Sequence, residues 1–239
     1  MVLDPSSDIP ADRCMELENA VSRIEPECDL IEEILRIKGL DQVKPVSLPT
    51  RSVVPGTALT PGRARLARAR RVMTARGLME TIGFSFIAYD EARKFGDAPE
   101  SLRLLNPIAA DLDQMRPTPV PNLLAAARRN AARGWPDLGL CEIGAAFSAE
   151  GQTTIATGLR AGRTSRQPGV TAVPMTFAAA KADALDVLTS LGVPPDALTA
   201  TPDAPGYYHP GRSGVLRQGP KSVLAHFGEL HPSILQEAG

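Results

Sequence analysis

The sequence predicts an α+β domain built on a largely antiparallel sheet, with helices set between groups of strands. Stretches with strand-like alternation mostly follow one another, at 138–147 and 153–161 and again at 214–216 and 222–228, as consecutive antiparallel strands do. No repeat recurs at a fixed period, and strands and helices do not alternate in the doubly wound manner. Hydrophobic residues make up 43% and charged residues 22%, which suits a folded soluble chain. Aromatics are scarce at 4% and prolines frequent at 22, so the core is expected to be Ala, Leu, Val and Ile between sharply punctuated turns.

Residues 1–22 form an unassigned lead-in with Pro5, Ser6, Ser7 and Pro10, and a short helix is expected around 15–21. From Asp29, an expected N-cap with Glu32 three residues on, Leu30, Ile31, Ile34, Leu35 and Ile37 follow helical spacing until Gly39. Pro45, Pro49, Pro55 and Gly56 mark an extended linker. Thr60 then Pro61 open the clearest helix, with Leu66, Ala69, Val72 and Met73 as its inward stripe and Gly77 at its end. Residues 82–89 (IGFSFIAY) alternate and read as a strand, 90–95 as a short helix, Asn106-Pro107 as a turn and 113–116 as a strand. A helix over 121–133 places Leu123, Leu124, Ala127 and Ala131 inward, with Gly134 closing it. Another over 177–191 ends at Gly192.

The net charge of −1 hides an asymmetry. Residues 1–50 hold 11 acids against 5 bases, whereas 51–76 hold seven arginines and no acid. Such neighbours attract each other, face different partners, or are simply solvated helix faces. No apolar run is long enough to cross a bilayer, and the N-terminus lacks the regions of a signal peptide. Cys14, Cys28 and Cys141 offer no CxxC spacing and leave one unpaired, which argues against a disulfide framework or a thiolate zinc site.

No phosphate-cradling glycine loop and no GxSxG elbow is present. His226, Glu229 and His231 could meet as metal ligands, but the spacing is not HExxH, and His231-Pro232 reads equally as a helix entry. Asp29, Glu32 and Glu33 share one helix face, where they either gather a hard cation such as Mg²⁺ or complement the helix dipole. Arg116, just before Pro117, either binds an anion or pairs with Asp111 or Asp113.

Several segments, in order, resemble the bacterial phenylalanyl-tRNA synthetase β-subunit family. They are 25–40 (EPECDLIEEILRIKGL), 59–87 (LTPGRARLARARRVMTARGLMETIGFSFI), 104–124 (LLNPIAADLDQMRPTPVPNLL), Arg129-Asn130 with Arg133-Gly134, 140–147 (LCEIGAAF), 208–211 (YHPG) and 227–232 (FGELHP). The resemblance implies a C-terminal part of a B5-like domain over 23–50, a linker over 51–58 and a catalytic-like core module over 59–239. It implies for that module the class II aminoacyl-tRNA synthetase fold, an antiparallel sheet flanked by helices.

The resemblance further implies a part of phenylalanine–tRNA ligase, cytoplasmic, in which the α subunit binds ATP and phenylalanine and this module is a non-catalytic scaffold. Class II chemistry needs an arginine on the α-phosphate, yet the comparable strand over 142–147 holds none, and the chain stops before a final arginine-bearing strand. No catalytic residue is therefore expected. Arg63, Arg65, Arg68, Arg70, Arg71 and Arg76 are expected to meet the α subunit or, peripherally, tRNA(Phe). A tRNA-backbone-binding module over 51–76 is the alternative. Mg²⁺ shared with the α subunit is implied at Asp29, Glu32 and Glu33, although a fourth acidic position is occupied by Arg23. The tRNA-binding, editing and anticodon-binding domains of a full subunit do not fit in 239 residues, so a fragment or a truncated paralogue is expected, with self-association through the uncovered interface.

Overall fold

A computed structural model of the chain describes residues 27–47, 56–164 and 169–238. The lead-in, its expected short helix, Arg23, Pro49, Arg51 and Pro55 lie outside the described residues. The chain divides into two compact units, 1–56 and 57–239.

In the first unit, α1 (Glu27–Lys38) already includes Asp29, so Asp29 belongs to the first turn rather than capping the helix. Glu27 and Asp29 there and Arg36 and Lys38 in the last turn complement the helix dipole at both ends. Gly39 ends the helix at φ +97°, where its N–H donates to the Leu35 carbonyl at 2.8 Å. The helical spacing is real, but Leu30, Ile31, Ile34 and Ile37 are all exposed.

The second unit opens with α2 (Pro61–Ala75), capped by Thr60 Oγ1, which accepts the Arg63 N–H at 3.4 Å. Ala69 and Met73 are its buried residues. Gly77, at φ +80°, turns the chain into β1 (Met79–Glu80). The strand expected over 82–89 is broken: only β2 (Phe86–Ile87) forms, pairing antiparallel with β3 (Gln114–Met115). The cause is local. The Asn122 side chain crowds Gly83 so closely that a Cβ there would lie 2.9 Å from Nδ2, and Nδ2 donates to the Phe84 carbonyl. Alternation without a neighbouring ladder left Ile82 and Phe84 in solvent.

α3 (Tyr89–Ala92) and α4 (Val120–Ala131) follow, then a long hairpin of β4 (Leu138–Ser148) and β5 (Gly151–Ala161). Its register is unbroken from Leu138↔Ala161 to Ser148↔Gly151. α5 (Phe177–Ser190) precedes β6 (Thr199–Thr201), β7 (Tyr208–Gln218), β8 (Ser222–Leu230) and α6 (Pro232–Ala238). β7 is much longer than expected, because a register shift between Tyr208 and Ser213 absorbs Pro210 and Gly211.

Three sheets result, ordered β1-β4-β5, β2-β3 and β6-β7-β8. Among the described residues only the β1–β4 ladder is parallel, with Met79 opposite Leu140. The mixed α+β architecture with largely antiparallel sheets is thus the one the sequence predicts.

Strand alternation divides β4 between two helix layers. Leu138 and Leu140 pack on Leu123 and Ala127 of α4. Cys141 and Ile143, on the opposite face, meet Met73, Leu78 and Val187. Burial raises the Cys141 thiol pKa, with Glu80 adding to the shift, so this cysteine is a packing residue. α5 covers the β7–β8 sheet through Leu188, Leu216 and Phe227, and a smaller cluster joins Phe95, Val120 and Ile234. Among the described residues, no helix is long and apolar enough to cross a membrane.

Candidate interaction surface

The arginines of the basic helix divide into two groups. Arg68 Nη1 donates to the Ser190 carbonyl at 3.1 Å, and Arg70 pairs with Glu80 at 2.6 Å. Arg76, beyond the helix end, pairs with both Asp183 and Asp186 on α5, and Asp183 also holds Arg160 at 2.6 Å. These ion pairs raise the Arg76 pKa, with the Asp183 hydrogen bond foremost. Arg76 therefore joins α2 to α5 as part of the fold. Arg63, Arg65 and Arg71 are exposed and form no side-chain ion pair or hydrogen bond among the described residues.

An apolar edge adjoins this helix. β1 is the outer strand of its sheet, and Met79 is 60% exposed, Ile82 94% and Phe84 67%. Large apolar side chains left exposed on an edge strand and its following loop are a candidate interaction face.

Among the described residues, the acidic helix gathers no three-ligand metal group. Glu33 is engaged by Arg36, and Asp29 accepts from the Cys28 thiol at 3.7 Å. No group of three His, Cys, Asp or Glu among the described residues is placed to hold a metal ion. The histidine cluster is absent for the same reason. Glu229 pairs with Arg212 at 2.6 Å, while His231 Nδ1 accepts the Ser233 N–H at 3.2 Å and opens α6, the helix entry its proline suggested.

Among the described residues Arg116 is the largest fully buried side chain, 1% exposed. Neither Asp111 nor Asp113 is its partner. Its Nη2 donates to Glu142 Oε1 at 2.6 Å, Nε to the Ala145 carbonyl at 3.0 Å and Nη1 to Asn122 Oδ1 at 3.3 Å. Its backbone N–H reaches the Ser85 carbonyl, and its own carbonyl accepts the Phe147 N–H. A guanidinium held this way is unavailable to a phosphate. Gly144 makes room for the pair, since a Cβ there would lie 2.5 Å from Arg116 Nη2. Sequence reasoning missed Glu142, Asn122 and Gly144. A lone acid in the apolar run LCEIG was the available signal.

Asp113 instead binds Arg103 at 3.0 Å and accepts the Tyr89 N–H at 2.8 Å, opening α3. Those bonds, the Tyr89 N–H first, hold its carboxyl below the usual carboxylate range. An open groove of about 510 Å³ runs between α4, α3 and α6, with Leu124, Ala125 and Ile234 among its apolar walls and Arg128 and Arg129 at its rim.

The second unit and the end of the first match the family model described as the phenylalanyl tRNA synthetase beta chain CLM domain, over residues 45–239. The chain is 54% identical over its whole length to the phenylalanine–tRNA ligase beta subunit of Gluconobacter oxydans, of which it spans 29%. It is 45% identical, over 87% of its length, to that subunit from Rhodospirillum rubrum, spanning 26% of it. For Brucella abortus the figures are 41%, 89% and 28%. Among solved structures, a pyrrolysyl tRNA synthetase of Desulfitobacterium hafniense, PylSc, aligns with 73% of this chain and 60% of its own at TM-score 0.53 and 16% identity, a likeness of fold.

Proposed function

The chain belongs to the phenylalanyl-tRNA synthetase β-chain family, and from that membership we propose that it is the part of the β subunit that serves as a non-catalytic scaffold for the α subunit. It spans under a third of the length of the relatives it matches. On this reading the assembled ligase attaches phenylalanine to tRNA(Phe) in the cytoplasm, and the α subunit binds the ATP. This chain contributes position rather than chemistry.

The observation that carries the reading is the exposed apolar edge of Met79, Ile82 and Phe84 beside α2. It is supported by the strand over 142–147, which has no arginine, and by Arg116, whose guanidinium is spent on Glu142. The same edge would let this chain self-associate when alone. No step of this reading runs through Mg²⁺. Mixing the chain with the α subunit should give a co-eluting complex in sizing chromatography, disrupted by Ile82→Asp with Phe84→Asp. Failure to co-elute at micromolar concentrations overturns the reading.

A second reading is favoured by Arg63, Arg65 and Arg71, exposed and without a side-chain partner among the described residues: α2 contacts tRNA phosphates. Such binding should fall steeply with salt. Filter binding that detects no tRNA affinity at low salt removes it.

A further inference from the structure

α4 ends in a turn that holds one indole and three guanidiniums at the surface. Gly134, at φ +86°, donates its N–H to the Ala131 carbonyl at 2.9 Å, and the Trp135 N–H donates to the Asn130 carbonyl at 3.0 Å. Asn130 Nδ2 in turn binds the Ala126 carbonyl at 2.8 Å. The backbone that carries Trp135 is therefore pinned, while its side chain is 70% exposed. It is the single tryptophan of a chain poor in aromatics.

Arg128, Arg129 and Arg133 are all exposed, and none forms a side-chain ion pair or hydrogen bond among the described residues. The nearby groove acids Glu91 and Glu237 both pair with Lys94. The dipole of α4 accounts for cations in its last turn, Arg128 and Arg129. It accounts neither for Arg133, beyond the helix, nor for an indole held in water.

We propose that this helix end binds a single-stranded polynucleotide, one unpaired base stacking on Trp135 while adjacent phosphates meet Arg128, Arg129 and Arg133. Guanidiniums match phosphate oxygens two at a time, and an indole face stacks on any base. An acidic peptide would use the arginines and leave the indole without a role. The site lies on α4 and the turn after it, and so uses none of the residues on which the two readings above rest.

Because Trp135 is the only tryptophan, its emission reports the contact directly. The probes are oligoadenylates about six nucleotides long, as RNA and as DNA, with polyglutamate as an acidic control. Both oligonucleotides should quench the emission saturably at low salt, with a log–log salt slope of about −2 for three phosphates. Tighter binding of the RNA assigns RNA as the source of the ligand, and tighter binding of the DNA assigns DNA. Labelled-oligonucleotide anisotropy should show Trp135→Phe binding nearly as well as the parent and Trp135→Ala weakened roughly fivefold to a hundredfold. The triple change Arg128→Ala, Arg129→Ala, Arg133→Ala should bind at least about tenfold more weakly, whereas Lys221→Ala, at an exposed cation in the turn between β7 and β8, should bind unchanged. The proposal is overturned by any of four results: no quenching at low salt, equal quenching by polyglutamate, undiminished binding in Trp135→Ala or the triple variant, or loss of binding in Lys221→Ala.

Discussion

Arg116 and Glu142 meet inside the protein at 2.6 Å, their side chains 2% and 5% exposed. Each would be an isolated buried charge without the other. Glu142 Oε2 has no hydrogen-bond partner among the described residues, so the carboxylate depends heavily on that one guanidinium.

Removing one member should therefore cost more than removing both. Arg116→Met is expected to lose about 3–5 kcal/mol, while Arg116→Met with Glu142→Leu should lose much less than the two single changes added together. Urea unfolding of the four proteins measures this. Additive losses would show that the pair is not coupled.

Gly144 tests the same centre from outside. A methyl there has no space beside Arg116 Nη2 and Glu142 Oε1, 2.5 and 2.7 Å away. Gly144→Ala should destabilise by about 1–3 kcal/mol. Gly219→Ala, where no atom lies within 4 Å but φ is +71°, isolates the backbone cost for comparison. A neutral Gly144→Ala would mean that the ion pair can shift aside.

Asp113 predicts a pH response. Its carboxyl pKa is depressed in the folded protein, chiefly by the Tyr89 N–H and then by Arg103. The unfolded chain thus binds the proton more readily, and the stabilisation is present above about pH 4 and lost as pH falls through the folded value. Asp113→Asn should flatten the acid limb of the stability curve below about pH 4. An unchanged limb would assign it to other carboxylates, such as Asp203, which is depressed first by Thr201 and also by Arg217.

Asp183 and Asp186 should differ sharply. Asp183 is only 14% exposed and serves both Arg76 and Arg160, whereas Asp186 is 53% exposed and serves Arg76 alone. Asp183→Ala should cost about 2–3 kcal/mol and Asp186→Ala less than about 1. Thermal unfolding of the two variants distinguishes them, and equal losses would contradict the network.

Capped helices were the most legible elements. Thr60, Pro61 and Gly77 bracket α2, and Gly192 follows α5, because these residues act through local backbone geometry. The β4–β5 hairpin was legible from alternation alone. Residues 82–89 were not, because a strand needs a neighbour, and the crowding of Gly83 by Asn122 spans about forty residues of sequence. The family resemblance was carried by motifs spread along most of the chain. Of the surface, the sequence located the arginines of α2 but could not say which were committed internally. Arg76 finds Asp183 more than one hundred residues later, and only the packing of α2 against α5 brings them together.

The parallel ladder between β1 and β4 sets an order for refolding. β4 and β5 face each other across a two-residue turn, and β7 and β8 are likewise near neighbours, so both hairpins can close quickly. Joining Met79 to Leu140 closes a loop of about sixty residues, which is entropically slower. Until that closure, β4 presents an unpaired backbone edge to solvent. The longer that edge stays open, the lower the concentration at which refolding chains begin to pair with one another.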